Sequence, residues 1–345
     1  MSFQRIELTT DLIDCGQRDE AWRDITRPFF ETRAIRSEEG LSGSLASAVF
    51  GGMLVGPTSF NGQCYDRSAR IVTVSGLDQY MVQLFLQGAL QGDCAGEPVQ
   101  VQAGDIVVFD LACSFSTRVR PGRTITLIVP RDMMEGIGQG RVLHGAVLRA
   151  GQPVTRILTD IILSIEETQT RMDPTETEVV AEGFTTLLAN GLARLTDRRH
   201  FADGLHPSLL RRRALAVIEQ HLSDPDLGPE TLARHLNVSR AHLYRMFAAE
   251  GGVGRAIANR RLDSACRVLT GSGQRRHSVT EVAYMFGFSS SARFLRAFKA
   301  RFGMTPSEAR SLGALARQDA GLQAMFHRAA HRYGGRASLT RTGGE

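Results

Sequence analysis

No stretch of this 345-residue chain approaches the eighteen or more consecutive apolar residues that a membrane span needs, and its longest apolar runs are broken by polar residues. The first ten residues carry charge and lack the apolar core of a secretory signal, so the expected location is cytoplasmic. Cysteine is scarce. Cys15, Cys64, Cys94, Cys113 and Cys266 form no C-x-x-C pair and are odd in number, which points to scattered reduced thiols. Histidine is missing until His144, so no histidine metal site can be built from the residues before it. H-x-H and H-E-x-x-H spacings occur nowhere. Lys299 is the only lysine, a bias that a GC-rich genome produces and that carries little functional weight.

What is present is unevenly spread. Residues 198–345 hold 24 Lys and Arg against 11 Asp and Glu, a net of +13; residues 1–197 hold 17 against 25, a net of −8. A basic half tethered to an acidic half suggests a polyanionic partner for the basic half alone. The length suffices for two domains, each with its own core.

Segments rich in β-branched and aromatic residues run from about 41 to 130, among them Leu45–Val55, Gln79–Leu86, Asp105–Phe109 and Thr124–Val129. Glycine-containing turns separate them, as in an antiparallel barrel or sandwich. Two helices follow. Val154, Ile157, Leu158, Ile161, Ile162 and Ile165 share one stripe of the first. After Asp173-Pro174, Val179, Val180, Phe184, Leu187, Leu188 and Leu192 share a stripe of the second. This hairpin, 153–195, packs either on its own barrel or against a second subunit. Residues 198–207 read as a linker, and every later pattern to about 312 is helical. The tail, 313–345, could hold one more helix over 314–333 before a Gly-, Thr- and Arg-rich end expected to be disordered.

The strongest signal is an internal repeat. The first copy runs Leu232-Ala233-x-x-Leu236-Asn237-Val238-Ser239, then Leu243-x-x-x-Phe247. The second runs Val282-Ala283-x-x-Phe286-Gly287-Phe288-Ser289, then Phe294-x-x-x-Phe298. Small Ala233 and Ala283 let two helices approach. Asn237 and Gly287 suit a left-handed helix end. Ser239, and Ser289 or Ser290, can cap the next helix, and Ser278-x-x-Glu281 is a capping box. With Leu243/Phe247 and Phe294/Phe298 turned inward, the second helix of each pair leaves an outer face free for a DNA major groove. Those faces carry Ser239, Arg240, Ala241, Tyr244 and Arg245 in one copy. In the other they carry Ser289, Ser290, Ser291, Arg293, Arg296 and Lys299. Arginine reads guanine or grips phosphate, and capped helix N-termini bind phosphate.

Three segments, HLYRMF (242–247), RRLDSACRVL (260–269) and VTEVAYMFGFSSSARFLRAFKARFGMTPSEAR (279–310), resemble the DNA-binding domain of AraC/XylS-type bacterial regulators. The resemblance covers about 208–312. It implies two helix-turn-helix units joined by a long helix, here about 253–270, entering successive major-groove faces of one site. The expected function is transcription regulation, with activation through RNA polymerase. A homodimer paired through 153–195 is expected from surface: a small barrel covers one of the two apolar stripes more easily than both, which leaves Leu188 and Leu192 for a second subunit. Three departures stand out, one being that the usual aromatic at the start of the linking helix is missing. The family's Gly-x-Ser/Thr-Pro survives as Gly303-Met304-Thr305-Pro306 in the second copy but reads Gly252-Val253-Gly254-Arg255 in the first. The connection to Arg261-Leu262 is also one or two residues short.

Residues 79–110, with LFLQGALQGDCAGEPVQVQAGDIVVFD, resemble the cupin-like sensor domains of the XylS-related branch, and Val129-Pro130-Arg131 fits the end of that barrel. A small barrel can hold one small organic effector. The expected fold class is α+β: an N-terminal antiparallel β-barrel (1–197) with a helical hairpin, then an all-α domain of two helix-turn-helix units. The effector-binding residues stay unassigned; Met81, Leu84 and Leu86 serve equally as core. No metal, cofactor or catalytic residue is expected, the histidines all lying outside the predicted barrel. Asp105 and Asp110 read as turn and strand-end residues. Gly136-x-Gly138-x-Gly140 reads as a flexible turn, and redox roles for Cys64 and Cys113 rank below a structural one. Two alternatives to an effector-responsive regulator remain: a ligand-independent regulator, and a cupin-type enzyme fused to a DNA-binding domain.

Overall fold

A computed structural model describes residues 4–134, 143–202, 207–270, 277–311, 321–333 and 336–339. The fold is α+β, with antiparallel sheets in the first half and helices in the second. Gly136-x-Gly138-x-Gly140 lies outside the described residues.

Two sheets face one another. The larger has strand order β12-β9-β6-β11-β4-β3-β1-β13, where β1 is Gln4–Thr9, β3 Gly43–Phe50, β4 Met53–Phe60, β6 Gln79–Gln87, β9 Ile106–Asp110, β11 Gly122–Pro130, β12 Ala146–Leu148 and β13 Arg336–Leu339. The smaller has the order β2-β5-β10-β7-β8, where β2 is Glu31–Ala34, β5 Gln63–Arg67, β7 Ala89–Cys94, β8 Glu97–Gln102 and β10 Phe115–Val119. Strand alternation builds two cores from the larger sheet. Met81, Phe85, Val107 and Phe109 face the smaller sheet, where they meet Tyr65, Val99, Val101 and Phe115. Val82, Leu84, Ile106, Val108, Ile125 and Leu127 face two helices on the opposite side. With both faces covered, β9 is buried at every position, which explains its unbroken apolar run IVVF.

The helices on that second face are α3 (Pro153–Thr168) and α4 (Pro174–Ala202). Leu158, Ile162 and Ile165 of α3 and Phe184, Leu188 and Leu192 of α4 pack on the sheet. The hairpin's main stripe is therefore intramolecular core: Leu188 and Leu192 are 0% and 1% exposed and offer nothing to a second subunit. Ile157, Leu163 and Val179 remain outside. α4 also runs past the expected end of the hairpin and through 198–202, so the first half of the expected linker is helix; 203–206 lie outside the described residues.

The barrel begins earlier and ends later than the strand signals indicate. β1, β2 and the helix α1 (Arg18–Thr26) precede residue 41, and α2 (Ala69–Ser75) interrupts the strands between β5 and β6. A buried arginine fixes α2. The Arg67 guanidinium donates to the carbonyls of Pro28 (3.0 Å), Phe29 (2.6 Å) and Leu111 (2.8 Å) and to Ser75 Oγ (3.0 Å). Burial pushes its pKa down to about 10, but every contact accepts a hydrogen bond, so the charged form is satisfied. The tail, expected to end in disorder, returns to the barrel. Helix α12 (Gly321–Arg332) places Leu322, Phe326 and Ala330 in the core between the sheets, and β13 pairs antiparallel with β1.

His144 is a second correction. It precedes β12, which pairs with β9, so one histidine does sit within the barrel. Its Nδ1 accepts from the Asp110 N–H at 3.1 Å and its Nε2 lies 3.2 Å from the Ser114 carbonyl, against Phe109 and Phe115. A neutral imidazole offers one acceptor and one donor, and both are used by backbone. Among the described residues no cluster of three or more His, Cys, Asp or Glu could hold a metal. Burial pushes the His144 pKa down to about 4. Its folded pKa thus lies below its unfolded value of about 6.5, so the unfolded state binds the proton more readily in that window. We expect stability to be full above pH 6.5 and to fall by about 1.4 kcal/mol per pH unit at most as pH drops toward 4. Urea midpoints measured between pH 7 and 5 should show this slope, and His144→Gln should flatten it. A wild-type midpoint that is constant over that range contradicts the assignment.

Candidate nucleic-acid interface and barrel cavity

The second half of the chain has two small cores strung on one helix. α5 (Pro207–Gln220), α6 (Pro229–Leu236) and α7 (Arg240–Met246) surround Leu215, Ile218, Leu232, Leu243 and Phe247. α9 (Val279–Met285), α10 (Ser291–Phe302) and a helical segment over 306–311 (α11) surround Val282, Ala283, Phe294, Phe298 and Ala309. α8 (Val253–Thr270) supplies Val253, Ala256 and Ile257 to the first core and Leu262, Ala265, Cys266 and Leu269 to the second. The departure at Gly252-Val253-Gly254-Arg255 is absorbed by backbone: Gly251 and Gly252 have φ of +78° and +101°, turning the chain straight into α8.

The two turns are built alike. Asn237 and Gly287 take φ of +52° and +68°, the left-handed region that Asn and Gly enter at least cost. In each, the following residue bonds back to the buried alanine: Val238 N–H to Ala233 O at 3.1 Å, Phe288 N–H to Ala283 O at 3.0 Å. Ser239 caps α7 by accepting from His242 N–H at 3.2 Å. Ser290, not Ser289, caps α10 by accepting from Arg293 N–H at 3.2 Å. Both halves of the Ser278/Glu281 capping box are present. These caps occupy N–H groups that the sequence reading left open to phosphate.

In the first unit Ser239, Arg240, Ala241, Tyr244 and Arg245 are all exposed, and Arg240 pairs with Glu230 at 2.8 Å. In the second, Arg293, Arg296 and Lys299 are exposed at three-residue spacing opposite the buried Phe294, Phe298 and Phe302. Ser289 is exposed; Ser290 and Ser291 are half-buried at the start of the helix. Among the described residues Arg245, Arg293, Arg296 and Lys299 form no ion pair, and α10 contains no acidic side chain. Between the cations, Ala292 and Leu295 are also exposed, an apolar surface suited to thymine methyl groups. Both flank Arg293 on the outer half of the helix, and neither carries a charge or motif that marks it in the sequence.

The helical domain rests on the barrel. α2 packs on the second unit, with Thr73 Oγ1 3.3 Å from Cys266 Sγ and Ala69 against its core. On the first unit, the Arg211 guanidinium reaches Glu97 Oε1 (2.6 Å) and the Ala95 carbonyl (3.3 Å) in the β7–β8 turn, and it also binds Glu250 behind α7.

A cavity of about 60 Å³ lies between the two sheets. Trp22, Phe30, Phe60, Tyr65 and Met81 line it, with Gln83 and Thr126 as polar neighbours 3.2 Å apart. Of the three apolar candidates, Met81 faces this cavity, whereas Leu84 and Leu86 face the helical layer. Cys113, half-buried with its thiol pushed up to about 12 by burial, is no thiolate at neutral pH.

Known proteins share both halves. Residues 22–193 match an AraC-binding-like domain and residues 232–311 a helix-turn-helix domain. The transcriptional activator NphR of Rhodococcus sp. is 25% identical over 317 residues, covering 87% of this chain and 91% of NphR. The XylDLEGF operon transcriptional activator 2 of Pseudomonas putida is 30% identical over 140 residues, 39% of this chain and 87% of that protein. The crystal structure of the AraC-like transcriptional activator CuxR aligns with 76% of this chain and 94% of its own, at 23% identity and a TM-score of 0.49. With two helix-turn-helix units on one helix, a barrel before them, both domain matches and the 30% identical activator of Pseudomonas putida, the chain belongs to the AraC/XylS family of DNA-binding transcription regulators.

Proposed function

We propose that the protein is a non-catalytic, cytoplasmic transcription activator. α7 and α10 enter the major groove of promoter DNA, and a small organic effector occupies the barrel cavity. The observation that carries the DNA reading is the stripe Arg293, Arg296, Lys299, exposed and in no ion pair among the described residues, on a helix whose other face is a phenylalanine core. Arg245 and Tyr244 play the same part on α7. The relatives named as activators support a contact with RNA polymerase, the partner an activator must recruit.

Arg240, Arg245, Arg293, Arg296 and Lys299 supply five cations, so the slope of log affinity against log salt should be about −4.5. Lys299→Ala should flatten it by about one unit without changing sequence preference. Arg245→Ala or Arg296→Ala should cost about 1–3 kcal/mol on the specific site and less on random DNA, if each reads a base edge. Fluorescence anisotropy with both DNAs separates these outcomes. An unchanged ratio of specific to random binding removes base reading from that arginine.

The protein acts as a homodimer in this reading, and the hairpin's outer residues Ile157, Leu163 and Val179 form the contact in place of Leu188 and Leu192. Pairing two domains on adjacent half-sites raises effective concentration. Sedimentation should give a dimer at micromolar protein, and Ile157→Asp with Val179→Asp should give a folded monomer that holds one half-site weakly. A monomeric wild type, with and without DNA, defeats the dimer.

A further inference from the structure

The barrel cavity is closed by a part of the chain that follows the DNA-binding domain. Phe326 of α12 lines it, 6.0 Å ring to ring from Phe29. Leu322 and Ala330 pack one turn to either side, and beyond them α12 is held by Asp24, which meets Arg332 at 3.1 Å and the Tyr333 hydroxyl at 2.7 Å. The space that remains is about 60 Å³. A cavity that takes benzene measures about 150 Å³. A ring-sized guest therefore fits only where Phe326 now sits. Among the described residues no Asp, Glu, Lys, Arg or His lines the cavity, so a charged guest would lie buried without a partner.

We propose that α12 is a displaceable plug: the Phe326 ring holds the place of an uncharged, ring-sized organic effector, whose binding expels Phe326 and detaches α12 from the barrel. The inference rests on the reading of the cavity as the effector site. Its consequence runs along the chain. Residues 312–320 join α11 to α12, so a docked α12 ties the far end of the DNA-binding domain to the barrel. Expelling it frees that end, while the α4–α5 connection and the α2 and Arg211 contacts still hold the other side. The ligand then favours the undocked state by differential affinity, as any switch requires.

Trp22 is the chain's only tryptophan and lines the cavity, so its fluorescence reports occupancy. Bromobenzene, an uncharged heavy-atom quencher, is titrated into full-length protein while hydrogen exchange is followed in 321–333. Saturable quenching with lost protection in α12 is expected, and 4-bromobenzoate should bind at least about tenfold more weakly. Phe326→Ala removes the plug and Asp24→Asn loosens it without touching the cavity; either should tighten bromobenzene binding, the first by about tenfold, because less of the protein is closed. Saturable quenching with unchanged protection of α12 and unchanged affinity in Asp24→Asn overturns the plug but leaves the cavity an effector site. No saturable quenching in wild type or in either variant overturns both. Equal binding of 4-bromobenzoate overturns the uncharged class.

Discussion

One side chain joins the two helix-turn-helix units. Arg261, in the middle of α8, donates through Nε to the Leu222 carbonyl (3.2 Å) and through its terminal nitrogens to the carbonyls of Asp224 and Gly287. The first two belong to the loop between α5 and α6, the third to the turn of the second unit. Three separated carbonyls suit the planar fork of arginine better than the point charge of lysine. The same contact explains why the second turn carries glycine: a Cβ on Gly287 would stand 2.8 Å from the guanidinium, besides the cost of its positive φ. The bidentate Arg301–Asp263 pair, at 2.7 and 2.8 Å, locks α10 to α8 in turn. Because α8 also feeds both cores, α7 and α10 cannot vary their separation independently, and in the proposed function that fixed separation lets a single domain read one long DNA site.

The same logic extends to the barrel. The DNA-binding domain is bracketed in sequence by elements of the N-terminal half, α4 before it and α12 with β13 after it. Between those ends, α2 packs on one unit and the β7–β8 turn holds Arg211 behind the other. α2 is itself positioned by the buried Arg67, and Leu111, whose carbonyl Arg67 grips, directly follows β9, one strand of the sandwich. A change inside the barrel thus has short, physically continuous routes to both units. Each route is a set of packed side chains and ion pairs with a defined docked arrangement, the kind of element that a ligand can bias.

Much of this was legible in the sequence, and the reasons are local. The repeat showed because each turn needs a residue tolerant of positive φ, a capping serine after it and aromatic residues four apart on the next helix. Arg293, Arg296 and Lys299 were legible as an outer face because Phe294 and Phe298 had already claimed the inner one. The middle of the barrel showed through its glycine turns. What stayed hidden depends on partners distant in sequence. β1 reads QRIELT, with little apolar pattern, and gains its place only by pairing with β3 and β13. α12 offers just Leu322, Phe326 and Ala330, four apart, and the surface they cover is some three hundred residues away. The stripe of α4 told that Leu188 and Leu192 are buried but not by what; the outer face of the larger sheet takes them. His144 was assigned outside the barrel because β12, the strand that follows it, is only three residues long.

The account stands on the two units acting as one reading head. Its most direct test is to select the bound site from random DNA and then insert two base pairs between its two contacted blocks. With α8 and Arg261 fixing the separation, the blocks should lie about one helical turn apart, near 10 base pairs, and the insertion should weaken binding at least about tenfold. Undiminished affinity for the lengthened site, or a selected site with a single contacted block, would contradict it.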